Sequence, residues 1–144
     1  QVLVKDIPIQ YVLFTDEQKE HKIAISSDGV MYADADKIDT FSASESATLI
    51  DLTIASNELR VSLDTLSLYE KLTDFAKKNA VDLILITSRE EIKVHIKPDL
   101  TASVSSESIE RELRSLQLIL SSPTIEAKPA VVDLRFDHPV LRYL

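Results

Sequence analysis

The chain has 144 residues, with 24 acidic against 16 basic side chains, a formal net charge of -8, a single glycine and no cysteine. That length suits one domain, or one domain plus a fragment of another, with an ordinary buried core. The acidity disfavours a nucleic-acid backbone as partner, and the missing thiols exclude disulfides, thiol chemistry and Cys-ligated zinc.

The charge is uneven, since residues 1–58 hold 11 acidic and 4 basic groups and residues 59–144 hold 13 and 12. The acidic excess therefore lies in the first part. Phosphate-cradling loops need glycine where backbone approaches phosphate or takes positive φ, so one glycine argues against a nucleotide-binding loop. No run approaches the roughly 20 apolar residues that cross a bilayer. The chain opens on Gln1 without a signal pattern and is expected to be a soluble piece of a longer protein.

In chain order, Val2 to Lys5 and Ile9 to Phe14 read as strands separated by Pro8, which has no N–H to give to a ladder. His21 to Ser26 and Val30 to Ala33 flank Ser27-Asp28-Gly29, an Asp-Gly turn that predicts a tight hairpin. Asp34 to Thr48 is small, polar and acidic, the composition of a loop or module junction. Residues 1–33 are thus expected to be entry strands and hairpin, and residues 34–144 the main domain.

Thr48 to Thr53 and Glu58 to Ser62 are read as short strands. Asp64 is placed to cap a helix reaching about Asn79, with Leu68, Leu72 and Phe75 on one face; Ser67 and Glu70 offer an alternative capping box one turn later. Val81 to Ile86 is nearly continuously apolar and is expected to be the central strand, more buried than its neighbours except at Asp82. Glu91 to Lys97 alternates charged and β-branched residues, Pro98-Asp99 turns the chain, and Leu100 to Val104 keeps the alternation. Ser105 or Ser106 then caps a helix from Glu107 to Leu120, with Ile109, Leu113, Leu116 and Leu120 at three- and four-residue spacing. A closing strand runs Val131 to Phe136, and Asp137-His138-Pro139 leads into a last segment, Val140 to Leu144. These elements predict an α+β fold, a mostly antiparallel sheet with two helices packed on one face.

From Leu66 onward the order helix, buried strand, alternating hairpin, helix with Glu110-Arg111-Glu112-Leu113 and closing Val132-Asp133-Leu134-Arg135-Phe136 resembles the β domain of the FtsQ/DivIB family of bacterial cell-division proteins. Ser27-Asp28-Gly29-Val30-Met31-Tyr32 is similar to that family's Asp-Gly-Val hairpin. The likeness covers roughly residues 28 to 144. It departs at Pro98-Asp99, where the family carries glycine, and a preceding POTRA-like module is represented at most by its tail.

The resemblance implies a non-catalytic, extracytoplasmic scaffold domain of the divisome, held at the cell membrane by an upstream transmembrane helix absent from this chain. Its implied partners are FtsB/DivIC-like and FtsL-like proteins, recruited through the C-terminal strands, and no cofactor or metal is implied. The expected contact residues are Arg135, Val140, Leu141, Arg142, Tyr143 and Leu144. Arginines here suit bidentate pairing with partner carboxylates, and an aromatic at an exposed terminus suits an interface anchor. The alternative reading of Arg135 is an internal pair with Asp133, Glu112 or a strand neighbour, and that of Tyr143 and Leu144 is completion of the core.

Two other readings come from the residues. A small acidic hydrolase would bring a histidine and a carboxylate together in a pocket; His21, His95 and His138 are the only near-neutral titrators, and the sequence places His95 on a wet strand face and His138 in a turn. Asp34, Asp36 and Asp39 lack the glycine and the twelfth-position glutamate of a calcium loop. Glu90 and Glu91 point to opposite strand faces and cannot line one glycosidase groove. The remaining alternative is an accessory module of a secretion or pilus assembly.

Overall fold

A computed structural model describes residues 9–32, 47–54, 59–122, 130–136 and 138–143. Its elements are β1 (Ile9–Phe14), β2 (Lys22–Ser26), β3 (Met31–Tyr32), β4 (Thr48–Asp51), α1 (Leu63–Lys78), β5 (Val81–Ile86), β6 (Ile92–Ile96), β7 (Leu100–Val104), α2 (Ile109–Ser121), β8 (Val131–Asp133) and β9 (Val140–Arg142). The predicted strand Val2 to Lys5 and the acidic junction from Asp34 to Ser46 lie outside the described residues.

The nine strands form one sheet in the order β3-β2-β1-β4-β5-β6-β7-β8-β9. Five neighbouring pairs are antiparallel, and three, β1–β4, β4–β5 and β7–β8, are parallel. The fold is α+β with a mixed sheet. Parallel neighbours need a long crossover, and two of the three parallel pairs are joined through α1 and α2. Chain order therefore repeats: β4-α1-β5-β6 and β7-α2-β8-β9 are each strand, helix, parallel strand and antiparallel strand.

β5 lies fifth of nine, at the middle, as its apolar run predicts. Its burial nonetheless alternates, with Val81, Ile84 and Ile86 buried and Asp82, Leu83 and Leu85 only half so. It is not more buried than its neighbour β4, where Thr48 alone is not fully buried. The core joins Leu68, Tyr69, Leu72 and Phe75 of α1 and Ile109, Leu113 and Leu116 of α2 to alternate strand residues such as Ile84, Val94, Ala102 and Val132. The helices touch through Lys71 Nζ to Glu110 Oε1 at 2.9 Å and Asn79 Nδ2 to Gln117 Oε1 at 2.8 Å.

Local chemistry moves several predicted boundaries. α1 is capped by Ser62, whose hydroxyl accepts the Thr65 N–H at 3.1 Å, not by Asp64 or Ser67. Asp64 sits in the first turn, where a carboxylate opposes the positive end of the dipole. α2 begins at Ile109, later than predicted, because Ser105 is already occupied: its N–H and hydroxyl donate to the buried Glu112 carboxylate at 2.7 and 2.8 Å. β8 stops at Asp133 rather than Phe136, since the Asp133 carboxylate accepts the Arg135 N–H at 3.1 Å and bends the chain.

The predicted strand from Glu58 is not formed over Leu59–Val61, and Glu58 lies outside the described residues. Instead Leu59–Val61 lies along the β2–β3 hairpin, with a Val30–Arg60 bridge, Met31 N–H to Leu59 O at 3.0 Å and Val61 N–H to Gly29 O at 2.9 Å. Gly29 has φ +91°, and a Cβ there would lie 2.9 Å from the Val61 carbonyl oxygen. Gly29→Ala should therefore cost about 1–3 kcal/mol, through positive φ and lost backbone approach. Urea unfolding measures this, with exposed Ser27→Ala staying within about 0.5 kcal/mol of the parent as control.

Asp51, at the end of β4, is 1% exposed and fully satisfied, by Tyr69 Oη at 2.5 Å and by Thr53 N–H and Oγ1 at 2.8 and 2.5 Å. Each helical crossover thus holds one buried carboxylate where its first strand ends. Tyr69→Phe removes a donor and leaves Asp51 short of a partner inside the core. A loss of about 1–3 kcal/mol is expected in denaturant unfolding.

Candidate interaction edge

Open sheets leave backbone N–H and C=O groups unpaired on their two end strands, and proteins usually cover or blunt them. At the first end, β3, the Met31 N–H is taken by Leu59 and the Val61 N–H returns to the hairpin. At the other, β9 pairs with β8 through Val131–Arg142, Val132–Leu141 and Asp133–Val140. Among the described residues nothing pairs with its outer side.

The side chains there are unusually apolar for a surface. Phe136 is 56%, Val140 43% and Tyr143 54% exposed, half of the large apolar residues exposed among the described residues. Strand alternation puts Val140 and Arg142 on one side of β9 and Leu141, half-buried against the core, on the other. Arg142 is exposed and its carbonyl accepts the Ala130 N–H at 2.7 Å. Leu144 lies outside the described residues.

Arg135 is differently placed. Its Nε donates to Asp133 Oδ1 at 2.9 Å and its Nη2 to Asp133 Oδ2 at 2.7 Å, with Glu91 Oε2 3.6 Å from Nη1. The guanidinium is thus committed to its own chain, leaving Arg142 as the cation that projects from the edge. That bidentate bond, with the Arg135 charge behind it and Arg142 adding to it, holds the Asp133 carboxyl below its ordinary range; the same bond raises Arg135. Phe136 was not among the predicted contact residues, because the sequence reads it as part of a regular strand.

His95 is not merely solvated. Its Nδ1 lies 2.5 Å from Asp82 Oδ1, at the register shift between Val81 and Leu83 in the β5–β6 pairing. This bond holds the Asp82 carboxyl below its ordinary range. Thirteen residues separate the two, and only strand register brings them together. The pair sits on open strands, 36% and 37% exposed. The described clefts lie elsewhere: about 550 Å³ between α1 and α2, floored by Phe75 and Leu113, and about 370 and 280 Å³ around the start of α1.

The other candidates are scattered. His21 lies 3.7 Å from Asp16 on the surface, and the Asp16 carboxylate accepts the Glu20 and His21 N–H groups in a local turn. His138 is exposed, and the Glu91 carboxylate accepts the Thr87 hydroxyl at 3.1 Å. Asp34, Asp36 and Asp39 fall outside the described residues. Compared with known proteins, the chain matches no family model and no curated protein.

The Asp133 carboxyl is depressed in the folded chain, so its contribution is complete above the ordinary carboxylate value near 4 and is lost as pH falls through the lower folded value. Asp133→Asn should cost up to about 1 kcal/mol at pH 7, the pair being partly solvated. Urea unfolding between pH 7 and 2 should show a shallower acid limb below pH 4 in the variant than in the parent.

Proposed function

We propose that this chain is a non-catalytic scaffold domain that recruits a partner by strand addition at β9, in the manner of the FtsQ/DivIB division proteins it resembles. The observation that carries this reading is the asymmetry of the two sheet ends: Leu59–Val61 covers β3, whereas among the described residues nothing pairs with the outer flank of β9, near exposed Phe136, Val140 and Tyr143. Added strands gain affinity from main-chain hydrogen bonds and selectivity from alternate side chains. Arg142 supplies a cation on one side of such a strand and Leu141 an apolar seat on the other.

The architecture supports the same reading. The crossovers through α1 and α2 start from strands that run the same way and advance in the same direction along the sheet. Right-handed crossovers then place both helices on one face. On this proposal the domain is extracytoplasmic, anchored by a transmembrane segment upstream, and its partners are FtsB/DivIC-like and FtsL-like membrane proteins. Among the described residues no helix of this chain is long and apolar enough to cross a membrane.

A second reading, a small acidic hydrolase, draws on the His95–Asp82 bond. It ranks lower because catalysis at an oriented base needs a reacting group held beside it, whereas this pair sits on strand faces with both side chains more than a third exposed.

Arg142→Glu combined with Val140→Asp in the full-length protein separates the readings. Both positions are exposed, so thermal unfolding should stay near the parent's, while recovery of co-purifying membrane partners should fall at least about tenfold. Equal recovery from parent and variant would remove β9 as the contact.

A further inference from the structure

β8 and β9 are joined over only three residue pairs, and β9 has no fully buried side chain. Leu141 is its one half-buried residue, while Val140 and Arg142 are exposed. β8, in contrast, is fixed from its other side. Val132 is 0% and Leu134 2% exposed, Thr101 N–H donates to Ala130 O at 2.9 Å, and Leu134 N–H donates to Ser103 O at 2.9 Å. Local opening free energy follows buried contacts and protected backbone bonds, so these two neighbouring strands differ sharply in what holds them.

We infer that β9 is a detachable strand, releasing from β8 as a unit while β8, the rest of the sheet and both helices stay folded. Release gives the edge two states. Closed, it offers the outer flank of β9; open, it offers the freshly unpaired flank of β8 and the apolar seat vacated by Leu141. An extended segment with alternate apolar side chains fits the open state by taking the place of β9 instead of adding beside it. The use made of opening rests on the edge reading above; the opening itself rests on the β8–β9 contacts alone.

Residue-resolved amide exchange on the intact chain tests this, because three N–H groups report the two sides of β8 separately. Ala130 N–H bonds to Arg142 O across the β8–β9 side, whereas Thr101 and Leu134 N–H bond across the β7–β8 side. Ala130 should exchange at least about a hundredfold faster than Thr101 and Leu134, with little denaturant dependence. Exchange of all three in step, with the full denaturant dependence of global unfolding, would overturn the inference. A staple gives the second arm: Val131→Cys with Arg142→Cys, opposite one another in register, in a chain with no cysteine of its own. Oxidation should slow Ala130 exchange at least tenfold and reduction restore it; an unchanged rate in the oxidised protein would also overturn it. Equal partner recovery from parent and charge-reversal variant would remove the edge reading and leave both exchange results standing, so the two fail separately.

Discussion

Every strand in an open sheet except the two at its ends has backbone partners on both sides, and what is done with those two ends governs the rest of this molecule. At β3 the chain spends its single glycine: Gly29 takes positive φ and lets the Val61 N–H reach its carbonyl, drawing Leu59–Val61 alongside the hairpin. At β9 no described residue does the equivalent. Leaving N–H and C=O groups unpaired beside exposed Phe136, Val140 and Tyr143 invites association, so an edge of this composition is a liability unless it has a use. The scaffold proposal supplies one.

The interior is organised by the repeated crossover. Each helix carries the chain between parallel neighbours, and each crossover is pinned by a buried carboxylate: Asp51 at the end of β4 to Tyr69, and Glu112 of α2 back to Ser105 just after β7. These bonds fix the loop before each helix, and the helices are further tied by Lys71–Glu110 and Asn79–Gln117. Toward β9 the packing thins, with exposure rising from 0% at Val132 to 43% at Val140. A buried interior with an exposed rim at β9 suits the proposed strand-accepting role.

Much of this was legible in the sequence because periodicity and turn chemistry are local. The Asp28-Gly29 hairpin, the extents of β1 and β7, the apolar face of α1 and the central place of β5 all follow from residue spacing. What escaped is non-local. The parallel pairing of β7 with β8, the His95–Asp82 bond and the cover over β3 depend on register between distant segments. Caps were misread where a polar side chain had a better partner elsewhere: Ser105 serves Glu112, and Ser62, not Asp64, receives the α1 N–H. At the candidate edge, Arg142 and Tyr143 are exposed, and Arg135 is held by Asp133, the internal pairing that the sequence offers because residues two apart on a strand share a face.

The central claim, that β9 is where another polypeptide docks, is tested most directly by a photo-crosslinking residue placed at Tyr143 of the full-length protein in its native membrane, with the same residue at Leu63 as a comparison. Leu63 is 80% exposed and lies far along the sheet order from β9, at the start of α1. The account predicts a discrete adduct from position 143 to a small single-pass membrane protein, identified by mass spectrometry, and no such adduct from position 63. No adduct at 143, or the same adduct from both positions, would contradict it.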